Sequence, residues 1–478
     1  MTMTDNVKRR ERYLDFAFYI FVFLMITSFI ILQPFGDGPD EANRYKVTDF
    51  ICRYGFLPNG ADPELHIHGY GASYAYQPIL PYIIQGFVNR FVSLFTQSFY
   101  VLLFTARMVN AVTGVIMAVF VRKIAKIVFE NPLTGWVFSV LICLLPQSLF
   151  LHSYVNTDSM AAMSTAVIIY AILQGYQNDF KKKTCITLSV GISLCALSYY
   201  NAYGIILCAI ALFILYFFER KDGKLHLRFK DMVLSGLFVS VIVLALISWW
   251  FIRNYILYDG DLMGMTARRL NAIATSTPEY SPATKFTYYN GGLTLLDLIR
   301  TPNFKMLLTN SFIGLFGPMC VYMHTFTYRT YKFIYLIGAL ALLIPVHKRT
   351  VMSKYSKYQI ISFNILMFVD MMIVTFLCMY YNYTWDYQPQ GRYLLPMLIP
   401  LMYFVTLGLE KLFQFLKERL PSKIWRGYFN PDTIRTVAFL SIISFVVLAL
   451  LNNLVTVLIP KYLEADNTIQ WFIQKFNL

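Results

Sequence analysis

Long apolar runs recur along this chain, and they constrain its fold more than any other feature. Runs of roughly 20 apolar residues, the length at which a helix crosses the hydrocarbon core of a bilayer, appear throughout its 478 residues. Charged residues make up only 14% of the chain and hydrophobic residues 57%, whereas soluble domains are about 25% charged. The sequence therefore predicts an all-α integral membrane protein with a single polytopic membrane domain over 1–478.

The distribution of basic residues predicts the topology. The short segments 1–12, 122–132, 178–183, 219–231, 347–357 and 410–435 hold 25 of the 41 Lys and Arg residues. Basic residues in short loops stay in the cytoplasm, which places the N-terminus inside and the C-terminus on the exterior. The net charge of +15 thus reflects topology rather than nucleic-acid binding. We predict eleven transmembrane helices, at about 13–33, 100–121, 133–151, 159–177, 184–200, 202–218, 232–252, 331–346, 358–380, 393–409 and 436–459.

Two large exterior loops follow from this alternation, at 34–99 and 253–330. Each contains an apolar stretch that is not counted as a span, Pro78 to Phe95 in the first and Met306 to Met323 in the second. Counting either alone as a span would place later basic loops outside. We therefore expect interfacial or re-entrant helices there, because irregular backbone at membrane depth must be covered by protein or water.

Three carboxylates gather just after the first span. Asp37, Asp40 and Glu41 lie within five positions, followed by Arg44 and Lys46. One interpretation is a helix start, with Asp37 capping a helix that begins at Gly38–Pro39 and Asp40 paired with Arg44 at i, i+4. The other is a general base, because clustered carboxylates raise one another's pKa.

A second candidate position is the sequence "QGRYLLP", where an exterior loop enters a span. Arg392 there is either a snorkelling membrane anchor or a phosphate-binding residue, since guanidinium makes bidentate contacts to phosphate oxygens. Gln390 is predicted to contact substrate beside it.

Two further exterior positions carry polar residues at span ends. Arg253, Asn254 and Tyr258 close one span, where the alternative is an aromatic belt followed by an Asp-Gly turn. Asp158 opens another span, either as a helix cap or as a ligand contact.

Charged residues inside predicted spans are rare in this chain. Arg107 and Asp370 each need a partner or a cavity, and an ion pair between them is one interpretation. His66 and His68 have no third ligand at motif spacing, so no metal site is expected. The seven cysteines show no paired spacing that predicts disulfides.

Five motifs occur in order: "PDEANRY", "SYVNTD", "WFIRNYILYDGD", "NSFIGLFGPM" and "QGRYLLP". Together they resemble a bacterial family of multi-pass membrane proteins of unknown function, placed in the GT-C glycosyltransferase superfamily and marked by Pro-Asp-Glu in the first exterior loop. The family usually has a histidine shortly after this motif, whereas this chain has Asn43 and Arg44 in that neighbourhood.

The resemblance implies a GT-C-like fold and site roles. Asp40, with Glu41 beside it, takes the catalytic role. It also implies that Arg392 and Arg253 lie near the donor phosphate. From their positions in the sequence, Arg44 and Lys46 are further candidates for binding this phosphate, and Asp37, Asp158, Asn254, Tyr258 and Gln390 are candidates for contacting substrate.

The predicted function is a glycosyltransferase of the bacterial plasma membrane. It moves a sugar from a polyprenyl-phosphate-linked donor to a cell-envelope glycan or lipid-linked acceptor, without a cofactor. The alternatives are a transporter or flippase for lipid-linked glycans and a non-catalytic assembly subunit. A transporter is expected to line a path with charges and often to contain paired repeats of broken helices, and we find no such repeat.

Overall fold

A computed structural model describes residues 3–221, 224–346, 351–419 and 430–463, together with 465, 468, 470, 471 and 474. Parts of four predicted cytoplasmic segments, 1–2, 222–223, 347–350 and 420–429, lie outside the described residues. The chain is mainly helical, as predicted. Its helices are α1 Met3–Leu32, α2 Glu41–Tyr54, α3 Leu80–Val92, α4 Phe99–Val128, α5 Pro132–Cys143, α6 Pro146–Leu151, α7 Asp158–Asn178, α8 Lys182–Ala196, α9 Tyr203–Tyr216, α10 Phe229–Leu257, α11 Met265–Thr275, α12 Leu295–Arg300, α13 Phe304–Ile313, α14 Thr325–Ala341, α15 Lys357–Thr384, α16 Leu398–Arg419, α17 Pro431–Asn453 and α18 Ile459–Tyr462.

Short non-α elements connect these helices. Two antiparallel hairpins pair β1 (Phe218–Lys221) with β2 (Lys224–Leu227) and β3 (Leu315–Phe316) with β4 (Val321–Tyr322). A 3₁₀ turn over Gly391–Met397 leads into α16.

Six helical segments within the described residues are long and apolar enough to cross a membrane: Arg9–Leu32, Asp158–Asn178, Phe229–Leu257, Lys357–Thr384, Gly391–Arg419 and Pro431–Tyr462. Two shorter apolar segments are Pro132–Cys143 and Tyr200–Tyr216. A membrane protein with multiple helices is therefore confirmed. The count of eleven spans and the orientation of the termini stay predictions.

The helices differ in how far the protein encloses them. In the most apolar part of α7, 83% of residues are buried inside the protein, against 6% in α10. Helix α7 packs against α4 and α8, which makes it central, while α10 leans on α8 and exposes most of its apolar surface. Helix α10 therefore presents its apolar side chains to lipid. Exposure to lipid carries no hydrophobic penalty, because lipid tails are as apolar as these side chains.

Ion pairs distinguish the two ends of the bundle. At one end, Asp15 on α1 pairs with Arg122 on α4 at 3.0 Å, and Glu410 pairs with Arg435 at 3.1 Å. Contacts join several of the basic segments at this end, which we call the Asp15 end: the Met352 N–H donates to the carbonyl of Val128, and Thr134 donates to Glu410. The opposite end, called the Asp40 end, gathers the end of α1, the start of α7 and the 3₁₀ turn before α16 around helix α2.

The two apolar stretches left out of the span count lie at the Asp40 end. The first forms α3, which packs on α2 and α4, and the second forms α13 and the β3–β4 hairpin. Neither is among the helical segments long enough to span a membrane in the described chain. A second, smaller hydrophobic core lies at this end and includes Ile51 of α2, Tyr82 of α3 and Trp250 of α10. It packs α2 and α3 against the bundle.

Candidate active site

The site is built on the tight turn that joins α1 to α2. Asp40 immediately precedes α2 and has a left-handed backbone, with φ of 62°, a conformation that costs a non-glycine residue free energy. Gly38 lets this turn approach the segment between α6 and α7, because a Cβ there would lie 2.6 Å from the ring of Tyr154. The predicted cap was wrong: the helix begins at Glu41 rather than at Gly38–Pro39, and the Asp40 side chain makes no cap hydrogen bond.

A buried ion pair holds the turn in place. Arg107 on α4 and Glu41 are both fully buried and make a bidentate pair, with Nε–Oε1 of 2.8 Å and Nη2–Oε2 of 2.7 Å. The backbone N–H groups of Val155 and Gly36 also donate to Glu41, at 3.0 and 3.2 Å. Glu41 therefore has no oxygen left for a substrate proton.

Arg107 also fixes the end of α1. Its Nη1 donates to the carbonyls of Ile30 and Gln33, at 2.9 and 2.8 Å, and its Nη2 donates to the carbonyl of Pro34 at 3.0 Å. One side chain thus satisfies helix-terminal carbonyls that have no partner within the helix.

The ion pair considered between Arg107 and Asp370 is not formed. Arg107 is engaged by Glu41, whereas both carboxyl oxygens of Asp370 are buried on α15 without a hydrogen-bond partner in the described chain. A Cβ added at Gly204 would lie 2.9 Å from Asp370 Oδ1, so α9 is in close contact with this carboxyl group.

Asp40 and Arg392 meet across 352 positions of sequence. Arg392 Nη2 donates to Asp40 Oδ2 at 2.8 Å, and Arg392 is 2% exposed while the Asp40 side chain is 37% exposed. The carboxylate is thus open to ligand although its partner is buried. Arg392 is buried inside the protein, whereas a snorkelling anchor keeps its charged head in water.

The 3₁₀ turn places Arg392 by packing on α13. A Cβ at Gly391 would lie 2.1 Å from the backbone nitrogen of Phe312, so only glycine permits this approach. The Gly391 N–H donates to Ser311 Oγ at 2.6 Å, and Gln390 Oε1 accepts from Arg392 Nε at 2.6 Å.

A second buried ion pair lies next to the first. Arg44 on α2 donates through Nη1 to Asp158 Oδ2 at 2.8 Å, and its Nη2 lies 4.0 Å from Asp40 Oδ2. The predicted pairing of Asp40 with Arg44 is therefore present but long. Asp158 is the first residue of α7, preceded by Thr157 as the capping residue, so it pairs with Arg44 instead of capping the helix. The two carboxylates and two guanidinium groups of this cluster balance in charge.

The arginines determine the protonation state of Asp40. Burial alone would raise its pKa, but the charges of Arg392 and Arg44 outweigh burial, and the pKa lies below its ordinary value. The expected raising of pKa by neighbouring carboxylates is therefore wrong for Asp40, because cations lie closer than Glu41. At neutral pH Asp40 is ionised and can accept a proton.

Tyrosine side chains line the cluster and were not predicted. Arg392 Nη2 also donates to the Tyr393 hydroxyl at 3.3 Å, and the Arg44 guanidinium lies over the Tyr74 ring at 5.0 Å. Tyr154 lies close to Arg392. Tyr154 and Tyr393 are part of the motifs "SYVNTD" and "QGRYLLP", so they were within reach of sequence reasoning. Tyr74 carried no such signal.

Arg268 on α11 is another cation that the sequence did not identify. Burial raises the pKa of Tyr74 and Asp40 adds to this, while Arg44, Arg392 and Arg268 oppose it. The charge of Arg268 thus reaches the hydroxyl beside Asp40. Arg268 is half-buried, and its side chain makes no ion pair or hydrogen bond within the described residues.

Several predicted residues lie outside this cluster. Asp37 accepts a hydrogen bond from Tyr462. Lys46 donates to the carbonyl of His66 at 2.8 Å, and Arg253 donates to the carbonyl of Pro58.

Asn254 and Tyr258 brace the chain at the end of α10. Asn254 Nδ2 donates to the carbonyl of Leu262 at 3.3 Å, and the Tyr258 hydroxyl accepts from the Gly60 N–H at 2.9 Å. In these contacts both side chains hold backbone rather than facing the Asp40 cluster.

Burial raises the pKa of Asp37. The hydrogen bond from Tyr462 lowers it and the charge of Glu41 raises it, and the net direction is upward. Asp37 is therefore the stronger base of the two aspartates, but no arginine of the Asp40 cluster contacts it. Among the described residues, no group of three His, Cys, Asp or Glu side chains could hold a metal ion.

Solved structures with the same fold are known. The oligosaccharyltransferase of Archaeoglobus fulgidus, tethered to an acceptor peptide, superposes with a TM-score of 0.54 at 14% identity over 92% of this chain and 55% of its own. The same enzyme, AglB, bound to an inhibitory peptide and a dolichol-phosphate, gives 0.51 at 13% identity over 92% and 56%. ArnT of Cupriavidus metallidurans bound to undecaprenyl phosphate gives 0.50 at 13% identity over 96% and 74%. This chain thus spans about half the length of the oligosaccharyltransferase.

These comparisons identify the fold and the family. AglB and ArnT are both GT-C glycosyltransferases, so the predicted GT-C-like fold is confirmed. A search of curated proteins gives no match. The family model described as "Predicted membrane protein (DUF2142)" matches residues 61–402, which is more than half of the chain. The chain therefore belongs to the DUF2142 family of membrane proteins.

Proposed function

We propose that this protein is a glycosyltransferase that moves a sugar from a polyprenyl-phosphate-linked donor to a cell-envelope glycan or lipid-linked acceptor. The observation that carries the proposal is the open carboxylate of Asp40, held between two buried arginines at one end of a GT-C fold. The presence of dolichol-phosphate and undecaprenyl phosphate in two structures of this fold supports a lipid-phosphate donor. We place the protein in the bacterial plasma membrane, with the Asp40 end outside.

The proposed reaction is direct displacement at the anomeric carbon. The acceptor hydroxyl oxygen forms the new bond to this carbon, and its proton passes to Asp40. The bond from the carbon to the phosphate oxygen breaks, and its electron pair stays on the departing polyprenyl phosphate. Cations next to that oxygen stabilise the charge that develops on it.

Without a donor, the positive and negative charges of the site are already balanced. Arg44 and Arg392 are already neutralised by Asp158 and Asp40, so an incoming phosphate needs further positive charge or must take one arginine from its partner. Arg268 supplies a charge without an ion pair among the described residues. When phosphate draws Arg392 away from Asp40, the pKa of Asp40 rises, because its nearest cation is lost. Donor binding would thus convert Asp40 from an ion-pair partner into a base.

We assign donor-phosphate binding to Arg392, Arg44 and Arg268. The contacts of Lys46 and Arg253 with backbone carbonyls favour them less in this role. Gln390 and Asp158 orient the two arginines. Glu41 acts through Arg107, by holding the turn that carries Asp40, so we propose it as a positioning residue rather than as the base.

The contacts of Arg107 disfavour a transporter. Arg107, one of the two charged residues noted inside predicted spans, is fully buried and saturated by Glu41 and three carbonyl groups. It is therefore not available to a passing substrate.

The test uses purified protein in nanodiscs, a synthetic polyprenyl-phosphoryl sugar and a membrane glycolipid extract as acceptor. Asp40→Asn should lower turnover by about 10²–10⁴-fold, because it cannot take the proton. Asp49→Asn is the matched control: Asp49 lies on the same helix, its side chain is also 37% exposed, and it pairs with Arg53 at 2.8 Å. Equal turnover by Asp40→Asn and wild type, with loss in Asp37→Asn, would transfer the base role to Asp37.

Arg268→Ala should weaken binding of undecaprenyl phosphate by roughly tenfold, because one charge-assisted hydrogen bond is lost. Arg269→Ala, a neighbour that lies over Trp385, is the control. Unchanged binding in Arg268→Ala would reject its place in the phosphate site.

A further inference from the structure

A groove separate from the Asp40 cluster runs beside the end of α10. Its volume is about 610 Å³, and it is open along one side. This volume lies within the range of small-molecule sites. Its walls come from the last turns of α10 and from the loop after α2.

One wall of the groove is apolar and faces lipid. Trp249, Ile252 and Ile256 follow one another at helical spacing, and they are 39%, 54% and 71% exposed. Phe56 on the opposite wall is 58% exposed. On a helix that borders the bilayer, such a surface fits an acyl chain.

The groove also contains one cation and one anion. Arg253 donates through Nη2 to the carbonyl of Pro58, and its guanidinium lies over the Trp250 ring at 5.3 Å and beside the Tyr258 hydroxyl, which also accepts from the Gly60 N–H. The buried Nη1 of Arg253 has no hydrogen-bond acceptor in the described chain. Asp62 accepts from the Asn59 N–H through Oδ2 at 2.9 Å, and its Oδ1 accepts no hydrogen bond from the described residues. Arg253 and Asp62 line the same groove without pairing directly.

Arg253 and Asp62 carry opposite charges and make no ion pair with each other within the described residues, and this arrangement defines the headgroup that fits. We propose that this groove binds a glycerophospholipid whose headgroup carries both a phosphate and a primary ammonium group. The phosphate accepts from Arg253, the ammonium group donates to Asp62, and an acyl chain lies along Trp249, Ile252 and Ile256.

The two charges of the groove also favour this headgroup over the headgroups of other membrane lipids. An anionic headgroup without an amine leaves Asp62 unpaired and brings it close to a second negative charge. A polyprenyl phosphate satisfies Arg253 but likewise offers nothing to Asp62. The proposal does not rest on transferase activity, because the groove has no contact with Asp40 or Arg392 in the described chain.

The experiment measures lipid retention by the full-length protein. Wild type is reconstituted in nanodiscs with equal amounts of phosphatidylethanolamine and phosphatidylglycerol and a trace of undecaprenyl phosphate. It is then extracted in mild detergent, and bound lipids are counted by native mass spectrometry. We expect one tightly retained phosphatidylethanolamine.

Two groove variants test the two charges. Arg253→Gln should lower phosphatidylethanolamine retention roughly tenfold, and Asp62→Asn should remove the preference over phosphatidylglycerol by a similar factor. Arg253→Lys should keep most of the binding, and Arg269→Gln, an exposed arginine outside the groove, should keep all of it.

Three results would overturn the proposal. One is equal retention of the two phospholipids by wild type. Another is an unchanged preference in Asp62→Asn, which decides the question even if Arg253→Gln fails to fold. The third is retention of undecaprenyl phosphate in place of phosphatidylethanolamine, which would make the groove a site for the lipid carrier.

Discussion

Replacing Glu41 by Gln tests whether this residue takes part in chemistry or holds the site together. The change keeps shape and one carbonyl oxygen but removes the negative charge. Arg107 is fully buried, and Glu41 is its ion-pair partner among the described residues, so the variant leaves a buried cation without an ion pair there. Breaking a buried ion pair by removing one partner costs about 3–5 kcal/mol.

The structure supports the upper part of this range. Glu41 accepts four hydrogen bonds between 2.7 and 3.2 Å, and the amide of glutamine has one acceptor oxygen for them. With an unfolding entropy of about 2.1 cal/mol/K per residue, as in soluble domains, a loss of about 4–5 kcal/mol in a chain of 478 residues lowers Tm by about 4–5 °C. The assay is thermal unfolding in detergent, followed by tryptophan fluorescence.

Two controls accompany this measurement. Asp49→Asn breaks an exposed ion pair and should cost at most about 1 kcal/mol. The double variant Glu41→Gln with Arg107→Gln should lose less than the sum of the single variants, because the orphaned charge is gone. If Glu41→Gln unfolds with wild-type Tm yet abolishes transfer, the structural reasoning is refuted and Glu41 is catalytic.

Three further predictions concern the pKa of Asp40, the buried carboxyl group of Asp370 and the membrane topology. Arg392→Gln removes the nearest cation from Asp40, so the pKa of Asp40 rises and the acidic limb of the kcat/KM profile should move to higher pH; an unshifted limb would separate Asp40 from the titration. Asp370→Leu removes two carboxyl oxygens that have no partner in the described chain and should raise stability by about 1–3 kcal/mol, whereas a lower Tm would reveal a partner for that carboxyl group. A membrane-impermeant maleimide should label exposed Cys320 at the Asp40 end in intact cells, while Lys354→Cys in a Cys320→Ser background should react only after permeabilisation; the reverse pattern would invert the topology.

The membrane class and the concentration of basic residues in short segments can be read directly from the sequence. Apolar length and loop charge are properties of short stretches, so they can be read without knowing which helices touch. Contacts such as that of Met352 with Val128 join several of these segments at the Asp15 end. The motifs also contained Asp40, Arg44, Asp158 and Arg392, four residues that the structure joins in one cluster.

The partners of the three acidic residues, in contrast, depend on how the helices pack. Asp40, Glu41 and Asp37 are neighbours in sequence, yet their partners are Arg392, Arg107 and Tyr462, which lie on three different parts of the bundle. The pKa of a carboxyl group depends on the nearest charges and on burial, and neither is fixed by sequence spacing. For this reason the sequence could identify the acidic cluster but could not show that Asp40 is ionised and open to ligand, Glu41 is locked in an ion pair, and Asp37 has a raised pKa.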